Sequence, residues 1–346
     1  MAQQARAGRP LHTTQFYAER LGRALAYIDA HLAQPIALAD LAACAAFSPF
    51  HFHRVFVDWY GETPQAYIRR YRLQRAAALL RYAHERPIAS IAAQSGFTSA
   101  EAFVRAFRGY FDMTPSSWRH GHAPAGLAAA LPAHAPDWPA GLSADSVRVL
   151  LLPPRRIAYQ RKIGPYGEAE AALWQRLAAM LAPHGAGGGA GFGIGLDDPA
   201  VTPASRCRFD ACIEIAADQA LPVQVPVKML EGGLHAVLPY HGAPSQTLGH
   251  WQWLIQCWLQ QSRYSVNEQP CFQRYPQGNP VFAARHEVEG FVLPAPVLST
   301  SGSQSSARNV AGAMPGDAPV ALIQSELCLP LRRRPRQKSV INRNPG

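Results

Sequence analysis

Along residues 11–120 apolar side chains recur at helical spacing. Phe52, Val55, Phe56 and Trp59 fall at i, i+3, i+4 and i+7, the spacing of a buried helix face. A short helix, Leu38–Ala45, precedes them, and Phe47 and Ser48 make the turn between the two. Ser48 is a good N-cap, Pro49 suits the first helical position and Gly61 closes the helix. The design then repeats with an offset of 51 residues: Ser48 maps to Ser99, Phe52 to Phe103, Arg54 to Arg105, Phe56 to Phe107, Thr63 to Thr114, Pro64 to Pro115 and Tyr67 to Trp118. In the second copy Ile88–Ser95 is the first helix, Gly96-Phe97 the turn, and Ser99 caps a helix reaching Phe111. Phe103, Ala106, Phe107 and Tyr110 are its predicted core face. Between the copies Pro64 starts a helix that runs to about Arg81, roughly 27 Å at ~1.5 Å rise per residue. Two helix-turn-helix units joined by a rod are the expected architecture.

Beyond residue 145 the pattern changes to strands mixed with helices. Val147–Leu152 and Ile157–Ile163 read as strands, and Gly164-Pro165-Tyr166-Gly167 turns into a helix at Glu168–Leu181. A second copy, offset by 78 residues, holds strands Val225–Leu230 and Leu234–Tyr240 and a helix at Ser245–Gln260. Phe209–Ile215, Cys271–Tyr275 and Ala321–Leu329 add further strands. The expected fold class is therefore multi-domain. An all-α double helix-turn-helix domain spans 11–120. An α+β domain of two pseudo-symmetric halves spans 145–331, with one antiparallel sheet and a groove at the pseudo-twofold. The Ala-, Pro- and Gly-rich stretch 121–144 reads as a linker, 281–319 as a flexible insertion, and 332–346 as a basic disordered tail.

Charge sharpens this division. The net +10 is unevenly placed: residues 1–122 carry 14 Arg, no Lys and 8 acids, and 332–346 carry 6 basic residues and no acid. The intervening chain has 13 basic and 15 acidic residues. Basic blocks at both ends favour a polyanionic partner. The six cysteines form no CxxC pair and lack zinc-finger spacing, so neither a metal nor a disulfide framework is expected. No run of about 18 apolar residues marks a membrane span. MAQQARAGRP lacks the apolar core of a secretory signal, so a cytoplasmic location is the expectation.

Candidate chemistry follows from the two long helices. Phe50, His53 and Arg54 lie at i, i+3 and i+4 away from the apolar stripe. An exposed aromatic, histidine and arginine near a helix N-terminus suit the major groove, where arginine pairs with guanine and an apolar ring meets a thymine methyl. Glu101, Arg105 and Arg108 hold corresponding positions in the second copy, and Arg69, Arg70, Arg72 and Arg75 on the rod are candidate phosphate contacts. Taken singly, an arginine on a helix is most often solvated, Glu101 suits a helix N-terminus, and Glu101 and Arg105 are spaced to pair with each other. It is the repetition of the whole motif that points to double-stranded DNA.

The segments FSPFHFHRVFVDWYGETPQAYIRRYRLQRAAALL and IAAQSGFTSAEAFVRAFRGYFDMTPSSWR resemble the DNA-binding domain of the AraC family of transcription regulators, over roughly residues 18–120. The resemblance implies base-reading positions at Phe50, His53 and Arg54, and at Ala100, Glu101, Ala102 and Arg105. Ala100 and Ala102 offer only apolar contact, so the second unit is expected to read sequence more weakly. Residues 146–331 resemble the gyrase-inhibitor-like small-molecule-binding domain, through RRIAYQRKIGPYGEAEAALWQRL, FDACIEI, EGGLHAVLPYHGAPSQTLGHWQWLIQCWL, CFQRY and ELCLPL. This resemblance implies an effector pocket lined by Tyr166, Trp174, Trp251, Trp258 and Tyr275; the plainer reading makes these core aromatics. Gln273 stands where the family commonly has a buried carboxylate, which argues against a preference for cations and against hydrolysis. Together the resemblances imply a DNA-binding regulator, an activator by family expectation, with RNA polymerase and a small amphipathic or aromatic effector as partners. Neither a cofactor nor an enzymatic activity is expected, since no Ser-His-Asp set or supported acid pair occurs. The alternatives are a small-molecule hydrolase or a gyrase-type partner-binding protein carrying a DNA-binding module.

Overall fold

The computed structural model describes residues 11–82, 86–121, 138–167, 170–199, 201–222, 224–267, 269–276 and 322–334. The proposed insertion 281–319, most of the linker and residues 335–346 of the tail lie outside them.

Among the described residues seven helices form the N-terminal half: α1 (Leu11–His31), α2 (Leu38–Cys44), α3 (Pro49–Tyr60), α4 (Pro64–Tyr82), α5 (Ile88–Gln94), α6 (Ala100–Phe111) and α7 (Pro115–Arg119). Ser48 Oγ accepts the amide of His51 at 3.3 Å, and Ser99 Oγ accepts that of Ala102 at 3.1 Å. These bonds satisfy amides that the first helical turn leaves without a carbonyl partner. The apolar stripes build two separate cores. Phe52, Val55, Phe56 and Trp59 pack with Leu21, Ile28, Leu41 and Tyr67, and Phe103 and Phe107 pack with Leu73, Leu80, Ile91 and Trp118. Helix α4 contributes to both, so it is the structural link between the two units. One predicted core position is corrected: Tyr110 is exposed and Phe111 is buried instead, with its ring 4.6 Å from those of Phe107 and Trp118. The Tyr110 hydroxyl accepts a hydrogen bond from Gln74. Pro115 starts α7 and brings Trp118 under the helix end, and this pulls Phe111 inward.

Among the described residues the C-terminal half has nine strands: β1 (Arg148–Leu152), β2 (Arg155–Ile163), β3 (Gly191–Gly195), β4 (Arg208–Glu214), β5 (Val227–Leu230), β6 (Gly233–Gly242), β7 (Tyr264–Val266), β8 (Phe272–Tyr275) and β9 (Ile323–Arg333). The order is β1-β6-β9-β8-β3-β4-β2-β5, with β7 on β9, and every pairing is antiparallel. The repeated hairpins exchange partners, so that β1 pairs with β6 and β2 with β5. This places a pseudo-twofold at the middle of the sheet. Helix α8 (Glu170–Leu181) covers Ala158, Ala211, Ile213 and Tyr275. Helix α9 (Thr247–Trp253), which runs on through a π-helical turn at Leu254–Trp258, covers Ala236, Leu238, Tyr240 and Leu329. The opposite face packs Ile157, Tyr159, Phe192, Val237, Phe272 and Cys328 against one another.

Sequence reading found no strand at β3, because the run GFGIG has three glycines and weak intrinsic strand preference. Its neighbours impose the strand: a Cβ on Gly193 would lie 3.0 Å from the Phe209 ring. The closing strand also runs on past the predicted end at Leu329 to Arg333, opposite Tyr264, so the tail begins later than 332. Trp138 and Leu142, assigned to the linker, pack on the core beneath α9. Among the described residues no helix is long and apolar enough to cross a membrane.

Candidate nucleic-acid interface and effector groove

On α3 the buried stripe fixes what points outward. Phe50 is 79% exposed, Arg54 is exposed and His53 is half-buried. The exposed ring of Phe50 is free to make an apolar contact outside the core. On α6 Glu101 and Arg105 are exposed, and Ala100 and Ala102 are half-buried. Hydrogen bonds from its own amide and the Ser99 hydroxyl, with Arg105 one turn on, hold the Glu101 carboxyl below its usual range, so it is anionic at neutral pH. Beyond α6, Arg108, Ser116, Ser117 and His120 line an open recess of about 570 Å³.

The rod arginines divide. Arg69 is exposed. Arg72, a candidate phosphate contact in sequence, is turned inward: it donates to the carbonyls of Leu32 at 2.9 Å and Gln34 at 2.5 Å. The helix-turn-helix turn of the second unit sits on this same tie. Gly96 has φ +79°, and a Cβ there would lie 2.6 Å from the Leu32 carbonyl and 2.7 Å from Arg72 Nε. Arg72 therefore joins the α1–α2 loop, the rod and the second turn. Arg70 is buried against Glu62, with Nη2 2.6 Å from Oε1.

In the C-terminal domain, Gln273 pairs with Gly193 across the middle of the sheet, and its Nε2 donates to the buried Ser325 Oγ of the neighbouring β9 at 2.8 Å. Ile323 packs against the cores of both halves and marks the same midline. Trp174 is 2% exposed and meets Tyr275 edge-on at 5.9 Å, so this pair serves the core under α8. Trp251 and Trp258 are half-buried, and Trp258 stacks on Tyr264 at 6.5 Å. Both belong to the segment that carries the π-helical turn, a distortion frequent at functional positions. Tyr166 has another task. Its hydroxyl donates to the Asp197 carbonyl at 2.8 Å and accepts the Asp197 amide at 3.0 Å. An open recess of about 380 Å³, where Tyr240, Ser325, Glu326 and Arg148 meet, adjoins the midline.

The sequence pattern does not flag a group of charges beside α1, formed by Arg161 of β2, Arg208 and Asp210 of β4 and Asp197 just after β3. The available signal was charge at alternating positions in β4, Arg208 and Asp210 on either side of Phe209, followed by the apolar run Ala211–Ile213.

Residues 41–121 match the helix-turn-helix domain family, and residues 145–291 match the GyrI-like small molecule binding domain family. The regulatory protein SoxS of Escherichia coli strain K12 is 41% identical over 96 residues, which is 28% of this chain and 89% of that protein. The chain belongs to the AraC family of transcription regulators. The transcriptional regulator Rob of Salmonella typhimurium is 42% identical to this AraC-family chain over 95 residues, 28% of this chain and 32% of that protein. The chain thus spans about a third of the length of the Rob proteins it matches. A transcriptional regulator from Chromobacterium violaceum with an AraC-type DNA-binding domain aligns with a TM-score of 0.29 at 29% identity, covering 31% of this chain and 95% of that one.

Proposed function

We propose that this chain is a sequence-specific, DNA-binding transcription regulator whose C-terminal domain binds a small-molecule effector. One observation carries the reading: two helices, each capped by serine and seated by a fully buried aromatic stripe, present exposed side chains on matching outer faces. Phe50, His53 and Arg54 read bases from α3, and Ala100, Glu101, Ala102 and Arg105 read them from α6. Arg69 and the Arg108–His120 recess contact phosphates. The effector lies along the midline beside Gln273 and against Trp251 and Trp258. Gln273 supplies a neutral amide there, so the effector is selected by apolar area and hydrogen bonding more than by charge. RNA polymerase contact and activation belong to the same proposal, supported by family membership.

The test is selection of a duplex from a random pool by the full chain, followed by affinity measurements on Arg54→Ala. The expected outcome is a loss of about tenfold or more for the selected duplex, with binding to unrelated DNA and the melting transition close to wild type. Equal affinity of variant and wild type for the selected duplex removes Arg54 from the reading face.

A further inference from the structure

The effector domain packs against the DNA-binding half along the length of α4, chiefly through residues 196–199 and 201–207, between β3 and β4, and through Arg208, the first residue of β4. At one end of α4, Asp198 accepts a hydrogen bond from the Tyr82 hydroxyl at 3.0 Å and pairs with Arg81 at 3.5 Å. Val201 is buried in the apolar core of the second helix-turn-helix unit, with Leu73, Ala77, Leu80 and Phe103. At the other end Arg206 reaches Glu62 at 3.6 Å. Midway, the Arg208 guanidinium lies 3.5 Å from the centre of the Tyr71 ring. Its nitrogens donate to Asp197 at 2.7 and 2.8 Å and to Asp29 on α1 at 3.0 Å. Arg161 approaches the other oxygen of Asp29 at 2.6 Å while donating twice to Asp210. Lys228 completes the group at 2.5 Å from Asp210. Three carboxylates and three cations balance, and the carboxylate of Asp29 is the contribution of the DNA-binding half. A buried ion network tolerates few other geometries, because moving one member leaves a desolvated charge uncompensated.

We propose that this loop is a clamp that holds α4, and with it the two recognition helices, in one fixed spacing, and that effector occupancy reaches the DNA through it. The proposal rests on the DNA-binding reading above. The route from groove to clamp is one strand. Gly193 of β3 pairs with Gln273 of β8 on one side and with Ala211 of β4 on the other, and β3 ends directly at the clamp loop. Tyr166 braces the start of that loop through Asp197, which itself holds Arg208. A shift of β8 against β3 on effector binding is therefore felt at Arg208 without crossing a soft element. The reading faces of α3 and α6 stay exposed with the clamp engaged, so the clamped form is the one that can bind DNA.

The experiment uses the full chain and the duplex it selects, together with the same duplex carrying one and two extra base pairs between the two read segments. Wild type is expected to bind the lengthened duplexes about tenfold or more weakly, since both helices must meet successive grooves. Asp29→Ala and the double variant Tyr82→Phe/Arg206→Ala are expected to cut that ratio at least threefold, and small-angle scattering is expected to show a larger radius of gyration than wild type. Asp29→Ala also removes a carboxylate from α1 itself, whereas the double variant removes only side-chain contacts between the domains, so the two are read together. Variants with the wild-type spacing ratio and wild-type scattering overturn the clamp while leaving the DNA-binding reading in place. A wild-type chain that selects no duplex overturns the DNA-binding reading and the spacing claim with it, whatever the scattering shows.

Discussion

Arg54, Arg72 and Arg208 are alike in sequence and differ in what surrounds them. Arg54 stands on solvent, Arg72 is spent on two carbonyls, and Arg208 is enclosed by Asp197, Asp29 and Tyr71. Only the first suits recognition, because a guanidinium already satisfied by buried acceptors has no fork left for a base. Gln273 and Asp210 yield predictions at this scale. Gln273→Glu places a carboxylate on the midline next to Ser325, so a lipophilic aromatic cation such as crystal violet is expected to bind the variant at least severalfold more tightly than wild type in a fluorescence titration. Equal affinity shows that the midline does not set charge preference. Burial acts to raise the Asp210 pKa, but Arg161 and Lys228 outweigh it and hold the carboxyl well below the usual carboxylate range. The folded value is thus lower than the unfolded one. The stability this confers is complete above about pH 4 and is lost as pH falls through the folded value. Denaturant unfolding of wild type is therefore expected to show a steeper loss of stability below pH 4 than Asp210→Asn, which lacks that proton.

Among the elements, the helices follow from local rules and β3 does not. Caps at Ser48 and Ser99, prolines at 49, 64 and 115, and stripes of Phe, Val and Trp are each readable within one turn of chain. The last turn of α6 escaped because Tyr110 and Phe111 compete for the core, and the choice is made by Trp118 on α7. The strand β3 escaped because its pairing partners are distant in sequence. The second helix-turn-helix turn gives a sharp test. Gly96 has a left-handed backbone and a carbonyl within 2.6 Å of any added Cβ, so Gly96→Ala is strained twice over. Its expected cost is about 1–3 kcal/mol in chemical denaturation. Gly61→Ala, with φ +73° but open space around it, should cost less. If the two substitutions cost the same, the contact with Leu32 and Arg72 adds nothing to the turn.

At the scale of the molecule, a basic helical half is pinned to an α+β half of near-neutral composition by an internally balanced ion network. Under the proposed function, charge facing DNA and charge facing the partner domain are kept apart, and only the former is expected to respond to salt. Neutralising about six phosphates gives a slope near −5 for log affinity against log salt, which a filter-binding series would measure. Asp29→Ala removes no phosphate contact and is expected to leave that slope unchanged even as it alters spacing preference. A slope near zero in wild type is inconsistent with backbone-driven DNA binding.

What the amino-acid sequence determined alone is the double helix-turn-helix, the exposure of Phe50, Arg54, Glu101 and Arg105, the duplicated α+β half and the family. Each of these is written as short-range periodicity or as a repeat, and side-chain patterning acts over a few residues. What tertiary structure alone decided is which charges are free to meet a ligand. Arg72, Tyr166, Arg161 and Arg208 acquire their roles from carbonyls and carboxylates tens to nearly two hundred residues away. A polar side chain takes its meaning from the partner that satisfies it, and that partner is chosen by packing across domains, where no local pattern records it.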